Sequence, residues 1–342
     1  MTKMYPSQNI AAKPAYDRIL GPFRKDLMLV EDAIQSNFRS DVAIIPKISN
    51  YLMDSGGKRI RPLLVLIVSK LLGYEAPADK EDPRINYSVV AEYIHAAALL
   101  HDDVVDEGNF RRNKLSCNRE YGNQASILVG DYLFARAYEI LASAPDIEVV
   151  SAMTIATRVM AEGEVLQLTN SFSLKNTEEL YLETIYRKTA VLISACCKVG
   201  AMLGKGTEEQ IKSIASYGYN IGMAFQLLDD VLDYVATDDK WGKPIGVDLA
   251  EGKVTLPLIW AYSQAEANDK TFIEKSLEAD EVSSEMFEKT LHIIRQTGGL
   301  DRTYSKAQEY SEMAKYDLNM FESSSQLDGL FAIADYIVDR SI

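Results

Sequence analysis

Two stretches of the sequence place aspartates at the same spacing and could together bind cations. These stretches, LLHDDVVDEGNFRR at 99–112 and FQLLDDVLDY at 225–234, contribute Asp102, Asp103, Asp106, Asp229, Asp230 and Asp233. Residues four apart share a helix face, so the first and last aspartate of each stretch project together. Like charges at this spacing cost a helix about 0.2–0.5 kcal/mol, and a bound cation would offset that repulsion.

The surroundings of both clusters favour a metal site over a solvated acidic helix face. Each cluster follows an apolar run, Ala96–Leu100 in the first case and Ala224–Leu228 in the second. A single cluster would leave the two interpretations evenly balanced. Magnesium takes oxygen ligands and is commonly shared between one or two carboxylates and a substrate phosphate. Two acidic clusters on apolar helices therefore predict Mg²⁺ as the cofactor.

Basic residues near predicted helix ends supply candidate anion sites. The stretch DSGGKRIRP at 54–62 sets Lys58, Arg59 and Arg61 before an apolar helix, where free backbone N–H groups add to the side-chain charges. Taken alone, GGKR is more typical of a solvated turn. Further polar groups that could face a ligand are Arg111, Arg112, Lys188, Thr189, Gln226, Lys243 and Lys253.

His95 has two competing interpretations. It forms the pairing Glu92-x-x-His95, which di-iron helix bundles use in two copies. Neither His101 nor His292 has a glutamate three residues before it, which disfavours a di-metal oxidase. Since His95 lies seven residues before Asp102, it faces the same side of the helix two turns earlier. It is either a hydrogen-bond donor to a phosphate or a histidine of the core.

Composition and charge bound the class of protein. The 342 residues are 47% hydrophobic and 25% charged, which is typical of soluble globular chains. The net charge of −14 and the lack of a basic stripe exclude nucleic acid as a partner. Three cysteines are too few and too irregular for a disulfide framework or a zinc site. No apolar run has the length of a membrane span, so we expect a cytoplasmic protein without stable membrane insertion.

Helical periodicity dominates the chain, and strand signals are nearly absent. We expect an irregular N-terminal arm over residues 1–20 and a single all-α domain over 21–342. The predicted helical stretches run roughly over 62–73, 84–107, 114–142, 146–170, 177–204, 207–237, 250–266, 283–297, 299–319 and 325–339.

Together these groups imply a ligand that is part diphosphate and part hydrocarbon. Acidic clusters facing each other across an apolar bundle would hold divalent cations on an anion, and basic helix ends would add charge-assisted contacts. Walls rich in Ala, Leu, Val and Ile would enclose an apolar chain. The sequence has no Ser-His-Asp or Cys-His arrangement and no Walker-type glycine loop. Metal-assisted departure of diphosphate is therefore the chemistry that fits best.

Six stretches, in order and spacing, closely resemble the trans-polyprenyl diphosphate synthases from about residue 25 to the end. They are GGKRIRP, IHAAALLHDDVVDEGNFRR, ILVGDYLFARA, YRKTA, GMAFQLLDDVLDY and GKPIGVDLAEGKVTLPLI. The resemblance implies an isoprenoid synthase type helix bundle around a central cavity, a homodimer and three magnesium ions. It also implies the reaction: an allylic diphosphate ionises, the double bond of isopentenyl diphosphate attacks the cation, and a proton is lost.

The resemblance carries roles over position by position. The implied metal ligands are Asp102, Asp106, Asp229 and Asp233. The implied catalytic set is Asp102, Asp103, Asp106, Lys188, Asp229, Asp230 and Lys243. The residues implied for the allylic diphosphate are Arg111, Lys188, Thr189, Gln226, Lys243 and Lys253. Those implied for isopentenyl diphosphate are Lys58, Arg61, His95 and Arg112, with Phe225 packing against the reacting isoprenoid units.

Product length is a separate expectation. The growing chain should run along the helix that precedes Asp102, so the residues one turn back set the depth of the tunnel. These are Ala97 and Ala98, where short-chain members of the family carry bulky aromatics. Ile94 lies one turn deeper, and Phe134 on a neighbouring helix is the candidate floor. We expect a long product with eight isoprene units as the central value.

Three other functions remain to be weighed against this one. A geranylgeranyl or farnesyl diphosphate synthase would share the chemistry and stop earlier. A terpene cyclase of the same fold would lack the basic set implied for isopentenyl diphosphate, which is present here. A non-catalytic partner subunit would tend to lose one aspartate cluster, and this chain keeps both.

Overall fold

The chain folds as an almost purely helical bundle, as the periodicity predicts. A computed structural model describes residues 19–38, 40–54, 56–77, 81–111, 114–144, 146–235, 246–279 and 281–339. Most of the predicted N-terminal arm, residues 1–20, lies outside these ranges. The single domain over 21–342 stays a prediction. Across the described ranges, no helix combines the length and the hydropathy that crossing a bilayer requires.

The helices are numbered in chain order. The first half of the chain forms α1 Arg24–Asn37, α2 Ile44–Met53, α3 Ile60–Leu71, α4 Pro83–Val105, α5 Cys117–Tyr121, α6 Asn123–Ala142 and α7 Ile147–Asn170. The second half forms α8 Glu178–Ile185, α9 Val191–Leu203, α10 Glu208–Val235, α11 Val247–Ala250, α12 Leu256–Gln264, α13 Ala267–Leu277, α14 Ser284–Gln296, α15 Gly299–Asp317 and α16 Ser325–Asp339. Short 3₁₀ turns occupy Gly21–Phe23 and Leu318–Met320, and a π-helical turn, Tyr186–Ala190, joins α8 to α9.

Local capping chemistry explains where the long helices begin. Asp82 caps α4 by accepting from the backbone N–H of Arg84 at 3.0 Å, with Pro83 in the first turn. Asp146 caps α7 and Thr177 caps α8 in the same manner. Each cap satisfies one of the N–H groups that a helix start leaves without an intrahelical partner.

Two long helices form the centre of the bundle. Helix α4 packs against α3 and α6, and α10 packs against α9 and α15. Buried apolar side chains from these helices form one large core, and a smaller apolar cluster joins the end of α10 to α12, α13 and α14. The two aspartate clusters therefore sit on the helices that are best fixed by packing.

The structure differs from the predicted helical stretches at several points. The stretch predicted as helix from residue 114 begins as a two-residue strand, Lys114–Leu115, paired antiparallel with Phe110–Arg111. Gly122, with φ +87°, then separates α5 from α6. Helix α12 begins six residues later than predicted, because Pro257 suits a first helical turn. Helix α13, Ala267–Leu277, was not predicted at all.

Candidate active site

Both aspartate clusters lie at the C-terminal ends of their helices. Asp102, Asp103 and Asp106 close α4, which ends at Val105, and the second cluster closes α10, which ends at Val235. A helix C-terminus carries partial negative charge and favours cations nearby. The two ends meet at one cavity of about 740 Å³, which is lined by members of both clusters. Carboxylates and helix ends thus concentrate negative potential in a single place.

Fixed cations of the chain balance the first cluster. Arg111 donates to Asp103 Oδ1 from Nη2 at 2.7 Å and from Nε at 2.9 Å. Arg111 belongs to the short strand Phe110–Arg111, whose pairing with Lys114–Leu115 fixes its backbone. Lys253 Nζ lies 2.7 Å from Asp106 Oδ2 and 2.6 Å from Glu251 Oε2. Burial alone would lower the pKa of Lys253, but Asp106 and Glu251 raise it strongly.

Asp102 faces the cavity with less support. Lys188 Nζ lies 3.9 Å from its Oδ2 and only 2.8 Å from Glu164 Oε2. Burial raises the pKa of Asp102 to about 6, while Lys188 pulls it in the opposite direction. A carboxylate with a raised pKa is one whose charge is incompletely compensated. Asp102 is therefore suited to receive an additional cation.

Neutral donors hold the centre of the second cluster. Tyr181 donates its hydroxyl proton to Asp230 Oδ2 at 2.5 Å, and Gln226 Nε2 donates to Oδ1 at 2.8 Å. Burial, with Asp248 nearby, raises the pKa of Asp230 to about 8 despite these hydrogen bonds. Asp233 Oδ2 accepts from the backbone N–H of Asp248 at 3.1 Å. This cluster is organised by hydrogen bonds rather than by an ion pair at its central residue.

The π-helical turn Tyr186–Ala190 links the two clusters. Lys188 reaches toward Asp102, and the next residue, Thr189, donates to Gln226 Oε1 at 2.8 Å. Gln226 in turn holds the second cluster. Gly163 of α7 permits this approach, since a Cβ there would lie 2.8 Å from the backbone nitrogen of Lys188. π-Turns are frequent at functional sites, and this one carries two predicted site residues.

The basic loop before α3 lies at the same cavity. Lys58 and Arg61 line the cavity, as does His95 from α4. Within the described ranges, Arg61 Nε is buried and has no hydrogen-bond partner. Burial lowers the pKa of Arg61, although Glu92 opposes this effect. A buried guanidinium N–H of this kind calls for an anionic ligand.

The structure brings most predicted residues together. Those lining the cavity are Lys58, Arg61, His95, Ala98, Asp102, Asp106, Arg111, Lys188, Thr189, Phe225, Gln226, Asp229, Asp230, Asp233 and Lys253. Asp103 is buried behind this surface and accepts a hydrogen bond from Arg111 Nη2. Ala97 and Ile94 are fully buried in the core, and the Phe134 ring packs against His101 with centroids 5.7 Å apart. The predicted residues Arg112 and Lys243 lie outside the described ranges.

Several cavity residues were not predicted from the sequence. Helix α7 contributes Met160, Glu164 and Gln167. Their helical spacing places them on one face of the predicted helix 146–170, and the polar pair Glu164 and Gln167 could have marked that face. Tyr181 gives no local signal, because its partner Asp230 is 49 residues away. Glu92 does not belong to a di-metal site: it accepts from Arg59 Nη1 at 2.9 Å.

The carboxylates fit a hard divalent cation whose shell is completed by oxygens of a ligand. In the described ranges, no group of three or more His, Cys, Asp or Glu side chains could by itself hold a metal. Magnesium does not require one, because it commonly takes one or two carboxylates together with waters and phosphate oxygens. The oxygen-only donors at two negative helix ends match this mode of binding.

Comparison with known proteins gives a consistent result. The sequence profile of the family described as "Polyprenyl synthetase" matches residues 42–294. An octaprenyl diphosphate synthase from Haemophilus influenzae is 38% identical over 316 residues, 92% of this chain and 94% of that protein. Two crystal structures superpose over 96% of this chain. A decaprenyl diphosphate synthase from Rhodobacter capsulatus has a TM-score of 0.89 at 35% identity, with 99% of its chain covered.

The second structure bears on the ligands. It is a polyprenyl synthase from Caulobacter crescentus CB15 complexed with calcium and isoprenyl diphosphate, with a TM-score of 0.91 at 37% identity and 98% of its chain covered. The two solved structures thus share the fold of this chain, and all three relatives match it over nearly their whole length. On this evidence the chain belongs to the polyprenyl synthetase family.

Proposed function

We propose that this prenyltransferase condenses an allylic diphosphate with isopentenyl diphosphate into a long all-trans polyprenyl diphosphate, with eight isoprene units as the central expectation. The observation that carries the proposal is the single cavity of about 740 Å³, lined by both aspartate clusters, by basic residues and by apolar helix walls. That volume lies within the usual range of about 300–1,000 Å³ for ligand cavities.

Magnesium is the proposed cofactor, with three ions per site. Asp102 and Asp106 would hold two of them and Asp229 the third, with Asp230 and Asp233 in or near its shell. When bound, the metal ions stabilise the negative charge that develops on the departing diphosphate. Two negative helix ends facing one cavity support this assignment.

The chain's own cations would position the two substrates. Lys188 and Lys253, both at the first cluster, would bind the allylic diphosphate together with Thr189, Gln226 and Arg111. Lys243, outside the described residues, is proposed for the same group. Lys58, Arg61, His95 and Arg112 would bind isopentenyl diphosphate, and the buried, unpaired Nε of Arg61 supports that role. As the allylic C–O bond breaks, its electron pair leaves with the diphosphate. The isopentenyl double bond then forms the new C–C bond, and the departing diphosphate would take the proton that is lost.

The direct test is to incubate the purified protein with Mg²⁺, farnesyl diphosphate and labelled isopentenyl diphosphate, and to size the dephosphorylated products. A ladder ending near eight units supports the whole proposal. A stop at four units, after one condensation on farnesyl diphosphate, would contradict the long product and favour a short-chain synthase. Release of a cyclic hydrocarbon from the allylic substrate without incorporation of label would overturn the proposal in favour of a cyclase.

The size of residue 98 is expected to control product length. Ala98 lines the cavity, whereas Ala97 is fully buried outside it. Ala98→Phe should therefore shorten the main product by at least one isoprene unit while the fold is retained. Ala97→Phe, the matched control, should overpack the core and cost about 1–3 kcal/mol of stability. Product sizing and urea denaturation of both variants would check this, and equal shortening by both would contradict it.

We also propose a homodimer. Helices α6 and α7 expose large apolar side chains, with Leu128, Ile155, Val165 and Leu168 between 51% and 66% exposed. Exposed apolar residues concentrated on helices of a folded protein are typical of protein interfaces. Light scattering should give about twice the chain mass of 38.2 kDa. A monomer at micromolar concentration would contradict the proposal.

A further inference from the structure

Arg59 adopts a backbone conformation that is costly for its type. Its φ is +49° and its ψ is 39°, in the left-handed region, at the residue that precedes α3. For a residue with a long side chain this conformation costs on the order of 1–2 kcal/mol. Such a conformation persists where the surrounding structure fixes it. The contacts of the Arg59 side chain, which is only 16% exposed, hold its backbone in this conformation.

The guanidinium of Arg59 joins three helices. Its Nε and Nη2 donate to Glu31 Oε1 and Oε2 of α1 at 2.5 and 3.1 Å. Its Nη1 donates to Glu92 Oε2 of α4 at 2.9 Å. Paired guanidinium–carboxylate contacts fix direction as well as distance. Arg59 therefore ties the start of α3 to α1 on one side and to α4 on the other.

We call the ion pairs of Arg59 with Glu31 and Glu92 the clamp. The residues around it are those proposed to bind isopentenyl diphosphate. Lys58 precedes Arg59, Arg61 follows two residues later, and His95 lies one helical turn after Glu92. All three line the cavity, as do Arg59 and Glu92, but the Arg59 guanidinium is directed to Glu31 and Glu92. The Glu92 side chain is only 5% exposed, and without a cation beside it its charge would repel a diphosphate. The clamp thus sets the orientation of the basic loop and neutralises Glu92.

We infer that Arg59 is a positioning residue for the isopentenyl diphosphate subsite, acting through its ion pairs with Glu31 and Glu92 rather than by contact with substrate. The inference rests on the proposed function. It distinguishes Arg59 from Arg61, because the Arg59 guanidinium is paired with two carboxylates of the protein, whereas the buried Nε of Arg61 has no partner among the described residues. It predicts that disturbing the clamp affects one substrate and spares the other.

The test compares KM values for the two substrates in Arg59→Lys. Lysine keeps the charge but cannot make the paired contact with Glu31 and reach Glu92 together. We expect the KM for isopentenyl diphosphate to rise about tenfold, while the KM for farnesyl diphosphate changes less than about twofold. Glu31→Gln should act in the same direction with a smaller effect, about threefold, and it is half-exposed, so the fold should be retained.

Arg84→Lys is the matched control. Like Arg59, the buried Arg84 has two carboxylate partners, Asp82 and Asp26. It lies at the start of α4, at the opposite end of that helix from the first aspartate cluster. Its replacement should lower stability without separating the two KM values. Equal rises of both KM values in Arg59→Lys, or no change in either, would overturn the inference. The wild type tests the proposed function separately, because an inactive wild type overturns that function, whereas an active wild type with an unaffected Arg59→Lys overturns only the clamp.

Discussion

The two aspartate clusters share a sequence spacing but differ in how the protein balances their charge. In the first, Arg111 holds Asp103 at 2.7 Å and Lys253 holds Asp106 at 2.7 Å. In the second, the central Asp230 is held by the neutral donors Tyr181 and Gln226. In the described part of the chain, the motif's central aspartate is therefore held once by an ion pair, at Asp103, and once by neutral hydrogen-bond donors, at Asp230.

This difference changes the electrostatic character of the two ends of the cavity. Burial raises the pKa of Asp102 to about 6 and that of Asp230, with Asp248 nearby, to about 8. Neutral donors compensate a buried carboxylate less than a fixed cation does. Among the residues that the structure describes, we therefore expect Asp230 to depend more on a bound cation than Asp103 and Asp106, which already have cationic partners.

The largest expected effect is loss of activity on neutralising either cluster. Asp102→Asn and Asp229→Asn should each lower turnover by about 10²- to 10³-fold, because each removes a carboxylate proposed to hold a metal at the leaving group. Incorporation of labelled isopentenyl diphosphate measures this. A loss of activity in only one of the two variants would contradict a shared role of the clusters, since it would assign the chemistry to one of them.

The next largest expected effect is a difference in the free energy of unfolding when the central aspartate of each cluster is replaced. Asp103→Asn leaves the Arg111 guanidinium without its carboxylate, and we expect a cost of about 2–3 kcal/mol. Asp230→Asn resembles the protonated form that burial already favours, so its cost should stay below about 1 kcal/mol. Urea denaturation in the absence of divalent cations measures both. A larger cost for Asp230→Asn would reverse the proposed division between ion pairs and hydrogen bonds.

A smaller loss of turnover is expected when Tyr181, a neutral hydrogen-bond donor to Asp230, is replaced. Tyr181→Phe removes a buried hydroxyl from Asp230 and should cost about 1 kcal/mol. Tyr93→Phe, its control, removes a buried hydroxyl that donates to the backbone oxygen of Ile34 at 2.8 Å, with a similar cost. Only Tyr181→Phe should lower turnover, by about three- to tenfold. Equal turnover in the two variants would show that Tyr181 serves folding alone.

The fold and the clusters were predictable because their signals are local. Apolar residues at helical spacing gave most helices to within two residues, as in α4, predicted over 84–107 and found at Pro83–Val105. The aspartate spacing placed Asp102 beside Asp106 without knowledge of any other helix. The family resemblance then supplied the roles of the distant basic residues.

The contacts that distinguish the clusters were not predictable, because they join distant parts of the chain. Lys253 meets Asp106 across 147 positions and Tyr181 meets Asp230 across 49. The π-helical turn was missed because its five residues interrupt a stretch, 177–204, whose apolar pattern is otherwise helical. Arg59 was one of three basic residues in one short stretch, and the sequence gives no sign of its carboxylate partners Glu31 and Glu92, which lie 28 and 33 positions away.

The central claim, that both clusters act on one diphosphate, can be tested by anomalous diffraction. Crystals would be grown with Mn²⁺ and farnesyl thiodiphosphate, whose C–S bond resists cleavage. Our account predicts manganese peaks beside Asp102 and Asp106 and a further peak beside Asp229, all of them touching the same diphosphate. Manganese at one cluster alone, or a diphosphate bound away from both clusters, would contradict it.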